Sequence, residues 1–308
     1  MSKVKRIRMK ELLKRFVDKA IIPVCQEPSP LGKLAIYVSK SLKNSYNDLR
    51  MQFIQNGKQS RWNETVRATM VERFETIDAE MMITTTPTDG LFLAEALLSL
   101  EAEGSVVECG CYTGGSTAKL SIVTKTVGKK LFVFDSFEGL PEVDQASKTD
   151  YHTRGSWAAK WDAGRYAASL DQVKSNVEKY GEISVCAFHE GWFSNTLKEG
   201  FLPNRISFAF ADVDQASSAR ECLIAIWPRI SDQGVYFSHD VAYIKVLQTI
   251  LNKHLWREIF REFPPILFGA GYGLGDSSPH LGFMVKGESV TAEYINSLTI
   301  GKWDSSFR

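Results

Sequence analysis

The spacing of apolar positions changes character along the chain. In residues 62–82, Val66, Met70, Phe74, Ile77 and Met81 recur at steps of three and four, which predicts an amphipathic helix. A second helix is expected from Thr88, with Leu91, Leu93, Leu97 and Leu100 apolar and Asp89 near its start. Short, continuously apolar runs then follow at 105–109, 130–134, 183–188, 206–211 and 234–238. Helix-length segments fill the gaps, at 116–125, 165–180, 195–198 and 217–230. Alternation of this kind implies βαβ units and a parallel sheet covered on both faces, which is why runs such as LFVF and ISFAF carry no polar alternation. Another helix is expected over 242–255, and two further strands around 257–267 and 280–285. A glycine-rich turn at 269–275 joins those two strands; it lacks the Lys-Ser/Thr of a phosphate loop and reads as a flexible connection near the substrate opening. Residues 1–61 read as helical pieces broken by Pro23, Pro28 and Pro30.

The 308 residues suffice for one large α/β domain with an appendage. The division expected is an N-terminal helical extension over 1–84 and a ligand-binding domain over 85–308. A net charge of +1 argues against a general nucleic-acid binder. No apolar run reaches the roughly 18 residues that span a bilayer. Five cysteines without a C-x-x-C pair indicate neither a zinc site nor a disulfide framework, and fit a reducing cytoplasm. The first twenty residues are basic, with Lys3, Lys5, Arg6, Arg8, Lys10, Lys14, Arg15 and Lys19 against Glu11 and Asp18. A solvated helix face is the plain reading; a transit peptide or a membrane-surface helix is the alternative.

In an open parallel sheet, ligands bind beyond the carboxyl ends of the strands. The first strand ends at Glu108, and the loop through Gly110, Gly114 and Gly115 leads into a helix whose free N–H groups suit a carboxylate or a phosphate. The spacing G-x-x-x-G is not that of dinucleotide folds. Asp135, 25 residues past Gly110 at the end of the second strand, can accept both hydroxyls of a ribose. The competing reading of Asp135 is a turn cap, since Ser136 and Gly139 follow. The long irregular segment 142–162, with Trp157 and Trp161, reads as a lid over an acceptor.

The string Glu108-Cys109-Gly110-Cys111-Tyr112-Thr113-Gly114-Gly115-Ser116 resembles motif I of class I methyltransferases, especially the catechol and caffeoyl-CoA types. Asp135-Ser136-Phe137-Glu138-Gly139-Leu140-Pro141, Glu190-Gly191-Trp192-Phe193 with Thr196-Leu197, and Glu72-Arg73-Phe74 with Ile77-Asp78 resemble the macrocin O-methyltransferase family. The resemblance covers roughly residues 71–285. It implies a Rossmann-like class I methyltransferase fold, with a seven-stranded, mostly parallel sheet and helices on both faces, plus the N-terminal helical extension. It also implies S-adenosylmethionine as cofactor. Gly110, Thr113 and Ser116 would hold the methionine part, with Glu108, Tyr112 and Asp212 in the same cofactor site. Asp135 and Ser136 would hold the ribose, and Glu190, Gly191 and Trp192 would lie against the adenine.

Methyl transfer to a hydroxyl needs nucleophile and sulfonium in line and the acceptor proton removed. Relatives bind Mg²⁺ with an Asp ending the fourth strand and an acid pair ending the fifth. Here the fourth strand ends Ala211-Asp212-Val213-Asp214, followed by Gln215 where a tyrosine is usual, and the fifth ends Ser238-His239-Asp240. Histidine therefore replaces one acid. Two mechanisms stay open. In one, His239 is the general base, oriented by Asp212 or Asp240. In the other, Asp212, His239 and Asp240 bind Mg²⁺ or Mn²⁺, imidazole favouring the latter. His152, Trp157 and Asp240 are candidate substrate contacts.

The function expected is transfer of a methyl group from S-adenosylmethionine to a hydroxyl of a small molecule, a sugar or another secondary-metabolite scaffold as in antibiotic biosynthesis. The alternatives are an N-methyltransferase or a non-catalytic binding subunit. A homodimer or higher homo-oligomer is implied by the resemblance alone.

Overall fold

A computed structural model describes residues 46–153, 158–198, 200–275, 277–287 and 291–300. The basic N-terminal stretch and Trp157 lie outside the described residues. Helix α1 spans Tyr46–Gln55, α2 Glu64–Glu80 and α3 Pro87–Ser99. The sequence signals for the last two are capping groups. The side chain of Asn63 accepts from Val66 N–H at the start of α2. At the start of α3, Thr86 and Asp89 form a reciprocal capping box, with Pro87 in the first turn, where its missing N–H costs nothing.

From there strands and helices alternate: β1 Ser105–Cys109, α4 Gly115–Thr126, β2 Leu131–Asp135, the short hairpin β3 Thr149–Tyr151 and β4 Ala158–Lys160, α5 Leu170–Tyr180, β5 Cys186–Glu190, α6 Phe193–Thr196, β6 Ile206–Ala211, α7 Ala216–Ile226, β7 Ile230–Ser238, α8 Ile244–Ile250, α9 Lys253–Leu255, β8 Gly282–Val285 and α10 Ala292–Ser297. The main sheet runs β5-β2-β1-β6-β7-β8. All its pairings are parallel except β7 with β8. Hydrophobic clusters cover both faces, one centred on Val106, Phe208 and Phe237, the other on Val107, Ala209 and Tyr236. The alternation of neighbours between the two clusters is the pleat of a sheet buried on both sides.

The register brings the strand ends together. Cys109 pairs with Phe134 and Ala211, Asp135 with Glu190, and Ala211 with Ser238. The loops carrying Gly110, Asp135, Asp212 and His239 therefore leave one edge side by side.

The sheet has six strands among the described residues, not seven. The expected strand over 257–267 is absent: residues Trp256–Phe260 form a π-helical turn, Arg261 is left-handed, and Pro264-Pro265 follow. Proline has no N–H to give a ladder, so in place of a strand there is the isolated bridge of Phe268 to Phe283. The expected helix over 242–255 is divided at Asn252, whose side chain caps a new short turn. The expected strand over 183–188 begins only at Cys186, after a 3₁₀ turn. The glycine-rich 269–275 turn is packed down rather than open, with Gly271 N–H donating to Val241 O and the Thr153 hydroxyl to Gly271 O.

Helix α2 packs into the same core as the sheet through Met70, Val71, Phe74 and Ile77. Polar contacts fix it further. Arg67 makes a buried two-pronged pair with Glu95 of α3 at 2.7 and 3.0 Å. Lys119 of α4 pairs with Asp78, and Arg73 reaches Glu182 and the carbonyls of Tyr180 and Gly181.

Candidate active site

A cavity of about 430 Å³ opens at the carboxyl edge of the sheet. Its walls come from the loops after β1, β2, β5, β6 and β7, and from Ile83, Thr84 and Thr85 before α3.

On the β1 side, Gly110 (φ 81°) and Gly114 (φ 87°) turn the chain into α4. Tyr112 also has φ 47°, and its ring meets Tyr166 edge-on at 5.5 Å. The Thr113 hydroxyl donates to Met82 O, so it is engaged with the loop before α3. Ser116, in the first turn of α4, lines the cavity. Glu108 lies fully buried behind this loop, and burial pushes its pKa up to about 8 against the opposing hydroxyls of Ser116 and Thr117.

Asp135 reaches across from β2. One of its oxygens accepts Cys111 N–H at 2.7 Å and the other Phe137 N–H at 2.7 Å. It thus caps the turn and faces the cavity at once, because each carboxylate oxygen retains further acceptor capacity. Ser136 serves the same turn, donating to Gly139 O and accepting Glu138 N–H. After β5, Trp192, Phe193 and Ser194 line the cavity, whereas Glu190 and Gly191 stand outside the lining.

Beside the glycine loop lies an acidic cluster built around the imidazole of His239. His239 is nearly buried, its Nδ1 3.2 Å from Asp212 Oδ1 and its Nε2 3.2 Å from Asp89 Oδ2. Burial disfavours its charge, but Asp212 and Asp89 outweigh this and hold its pKa well above the ordinary value. Asp240 accepts Val213 N–H at 3.1 Å and Asp214 N–H at 2.9 Å, which shapes the loop after β6. Burial, then the charge of Asp212, pushes Asp240 up to about 6. Asp214 is held at φ 59°, and burial followed by Asp240 raises its pKa too. Donor atoms of Asp212, His239 and Asp240 all lie within 4.8 Å of one another. The flanking wall is aromatic: Trp161, Tyr166, Tyr243 and His280, with Tyr243 stacked on His280 at 5.4 Å.

The sequence profile of the macrocin-O-methyltransferase family (TylF) matches residues 39–261. The chain belongs to this family. A curated relative, the 8-demethyl-8-(2,3-dimethoxy-alpha-L-rhamnosyl)-tetracenomycin-C 4'-O-methyltransferase of Streptomyces olivaceus, is 30% identical over 162 residues, 49% of this chain and 58% of the relative. The chain therefore spans somewhat over half the length of that relative. Among solved structures, the O-methyltransferase NovP is similar with a TM-score of 0.50 at 18% identity, over 70% of this chain and 80% of NovP. That likeness shows the class I methyltransferase fold.

Within this macrocin O-methyltransferase family member, the structure brings Gly110, Tyr112, Thr113, Ser116, Asp135, Ser136, Trp192, Asp212, His239 and Asp240 to one cavity. His152 stands apart, buried behind that wall, with its ring 5.1 Å from His280 and 5.7 Å from Tyr243. Asp89, Tyr166, Tyr243 and His280 escape the sequence reading. The signal for Asp89 is on the page as Thr86-Pro87-x-Asp89, but a capping box gives no hint that its acid also meets a histidine 150 residues away. His280 has no local signal at all. No helix of the described residues is long and apolar enough to cross a membrane.

Proposed function

We propose that the protein transfers a methyl group from S-adenosylmethionine to a hydroxyl of a sugar carried on a secondary-metabolite scaffold. The observation that carries this is spatial: the glycine loop with Asp135 and the Asp212–His239–Asp240 cluster leave neighbouring strand ends and line one cavity. A cofactor with its methionine part at the N-terminus of α4 and its ribose on Asp135 would direct its sulfonium toward that cluster. The methionine carboxylate would meet the unpaired N–H groups and positive end of α4. Trp192 offers the adenine a flat apolar face. The aromatic wall of Trp161, Tyr166 and Tyr243 suits the apolar face of a sugar ring, in line with a relative that methylates a rhamnosyl group.

A hydroxyl is a poor nucleophile until its proton is shared or removed. Asp212, His239 and Asp240 fit a divalent ion: two hard oxygen donors and one imidazole, mutually within 4.8 Å. When bound, such an ion would acidify the acceptor hydroxyl. The residues themselves fix the acceptor beside the cofactor, keep water out through the aromatic wall, and supply negative charge where a proton must leave. The arrangement of His239 between two carboxylates favours a second reading, in which its ring, neutral above its raised pKa, takes the proton directly.

Calorimetry with S-adenosylmethionine and a labelled-methyl assay against glycosides test the proposal. Micromolar cofactor binding and transfer to a sugar hydroxyl are expected; no cofactor binding, or transfer only to amines, sinks it. Exhaustive chelation separates the two mechanisms, since activity that survives it ends the metal reading.

A further inference from the structure

We propose that Asp89 is the positioning residue of the catalytic cluster: it accepts the Nε2 proton of His239 and so presents Nδ1 as the working nitrogen. What Nδ1 works on rests on the function proposed above; which nitrogen carries the proton does not.

A neutral imidazole has one N–H and one lone pair, and its neighbours decide which nitrogen has which. His239 faces two carboxylates at equal distance, Asp89 at Nε2 and Asp212 at Nδ1, each 3.2 Å away. Their surroundings differ. Asp89 is fully buried, while the Asp212 side chain retains 15% exposure on the cavity wall. An ionised carboxylate that water cannot reach is costly to leave short of donors, whereas one at a cavity wall can be hydrated. The single N–H of the neutral ring therefore goes to Asp89, and the Nδ1 lone pair faces Asp212.

Asp89 is itself immobilised. Its Oδ2 accepts Thr86 N–H at 2.6 Å and its Oδ1 accepts the Ser278 hydroxyl. Thr86 and Thr88 hydroxyls both donate to Ser277 O, which locks the start of α3 against the turn before β8. The ring has little freedom to turn, with Phe210 edge-on at 6.3 Å and His280 tilted at 5.6 Å. One acid thus caps the start of a helix and orients a ring 150 residues further along the chain. A carboxylate behind a histidine fixes its tautomer and raises the basicity of the other nitrogen, whether that nitrogen binds a metal or a proton.

The test uses ¹⁵N-histidine-labelled, metal-stripped full-length protein. Two-bond ¹H–¹⁵N correlation at alkaline pH, where the ring is neutral, reads its tautomer, with the signal assigned by its loss in His239→Gln. The wild type is expected to carry the proton on Nε2; a proton on Nδ1 overturns the proposal even if no variant folds. In Asp89→Asn the amide oxygen can take the Oδ2 place and keep the Thr86 N–H bond, but the charge that holds the proton on Nε2 is lost while Asp212 keeps its own. The proton should then move to Nδ1, and kcat should fall roughly 10- to 100-fold with cofactor Kd unchanged. Unchanged tautomer and kcat in that variant would refute the assignment. If the tautomers behave as expected but no sugar hydroxyl is ever methylated, the proposed function falls and the role of Asp89 stands.

Discussion

A Cβ on Gly110 would stand 1.9 Å from the backbone carbonyl of Asp212. The loop proposed to meet the cofactor and the loop that carries Asp212 are in contact backbone to backbone, and Gly110 is also left-handed at φ 81°. Gly110→Ala is therefore strained twice, by conformation and by collision, with no flexible side chain able to yield. The variant is expected to lose cofactor binding and most transfer activity together, measured by calorimetry and by methyl transfer. Near-normal values for both would show that the two loops move independently.

Asp135 has two assignments, turn cap and ribose acceptor, and one variant can separate them. Asp135→Asn keeps an oxygen for one backbone N–H but loses the charge that strengthens bonds from ribose hydroxyls. Hydrogen bonds to charged groups contribute about 1.5–3 kcal/mol each, so Kd for S-adenosylmethionine should rise roughly 10- to 100-fold. Tm of the ligand-free protein should fall by only a few degrees. A large drop in Tm with unchanged affinity would reduce Asp135 to the cap alone.

Removal of the imidazole tests the acidic cluster. His239→Gln leaves the cofactor side untouched, so Kd should stay within about threefold of the wild type while kcat falls on the order of 10²–10⁴, the usual scale of a lost proton-transfer group. Retained kcat would place the proton transfer elsewhere.

The parts of this fold that were legible in the sequence are those whose signal is local. Continuous apolar runs mark the five parallel strands, and apolar steps of three and four mark α2. Motif I and Asp135 lie at strand ends, so a linear reading places them at one sheet edge. The failures have equally physical causes. Apolar residues around Pro264-Pro265 look like a strand, yet lack the donors to be one. His152 looks like a site residue because imidazole is reactive, yet it packs behind Tyr243 and His280. The pairing of Asp89 with His239 joins positions 150 residues apart and depends on how α3 lies against the sheet, which no local pattern encodes.

The buried pair of Arg67 and Glu95 predicts a stability effect remote from the chemistry. Removing one partner leaves the other charge stranded among apolar side chains such as Phe53, whose ring lies 4.8 Å from the guanidinium. Glu95→Ala should cost about 3–5 kcal/mol in urea unfolding. Transfer activity below the lowered Tm should remain near that of the wild type. A cost under about 1 kcal/mol would mean that α2 and α3 are held by apolar packing alone.

Glu108 gives the protein a pH signature that can be worked out in sign. Burial, opposed by the hydroxyls of Ser116 and Thr117, raises its folded pKa to about 8, against an ordinary value of 4.5. Between those values the unfolded chain has released the proton and the native protein still holds it. The native state binds more protons there, so unfolding free energy falls as pH rises, by about 1.4 kcal/mol per unit. The full contribution is present below pH 4.5 and is gone above about 8. His239, whose folded pKa is also raised, tilts the curve the same way, so the slope alone does not identify the acid. Glu108→Gln does, because a neutral amide of the same shape removes one titration and leaves those of His239, Asp214 and Asp240 in place. Ligand-free wild type should lose stability from pH 5 to 8 more steeply than Glu108→Gln, and the variant should be the more stable of the two at pH 8. Parallel curves from chemical denaturation across that range would show that Glu108 is ionised in the folded protein.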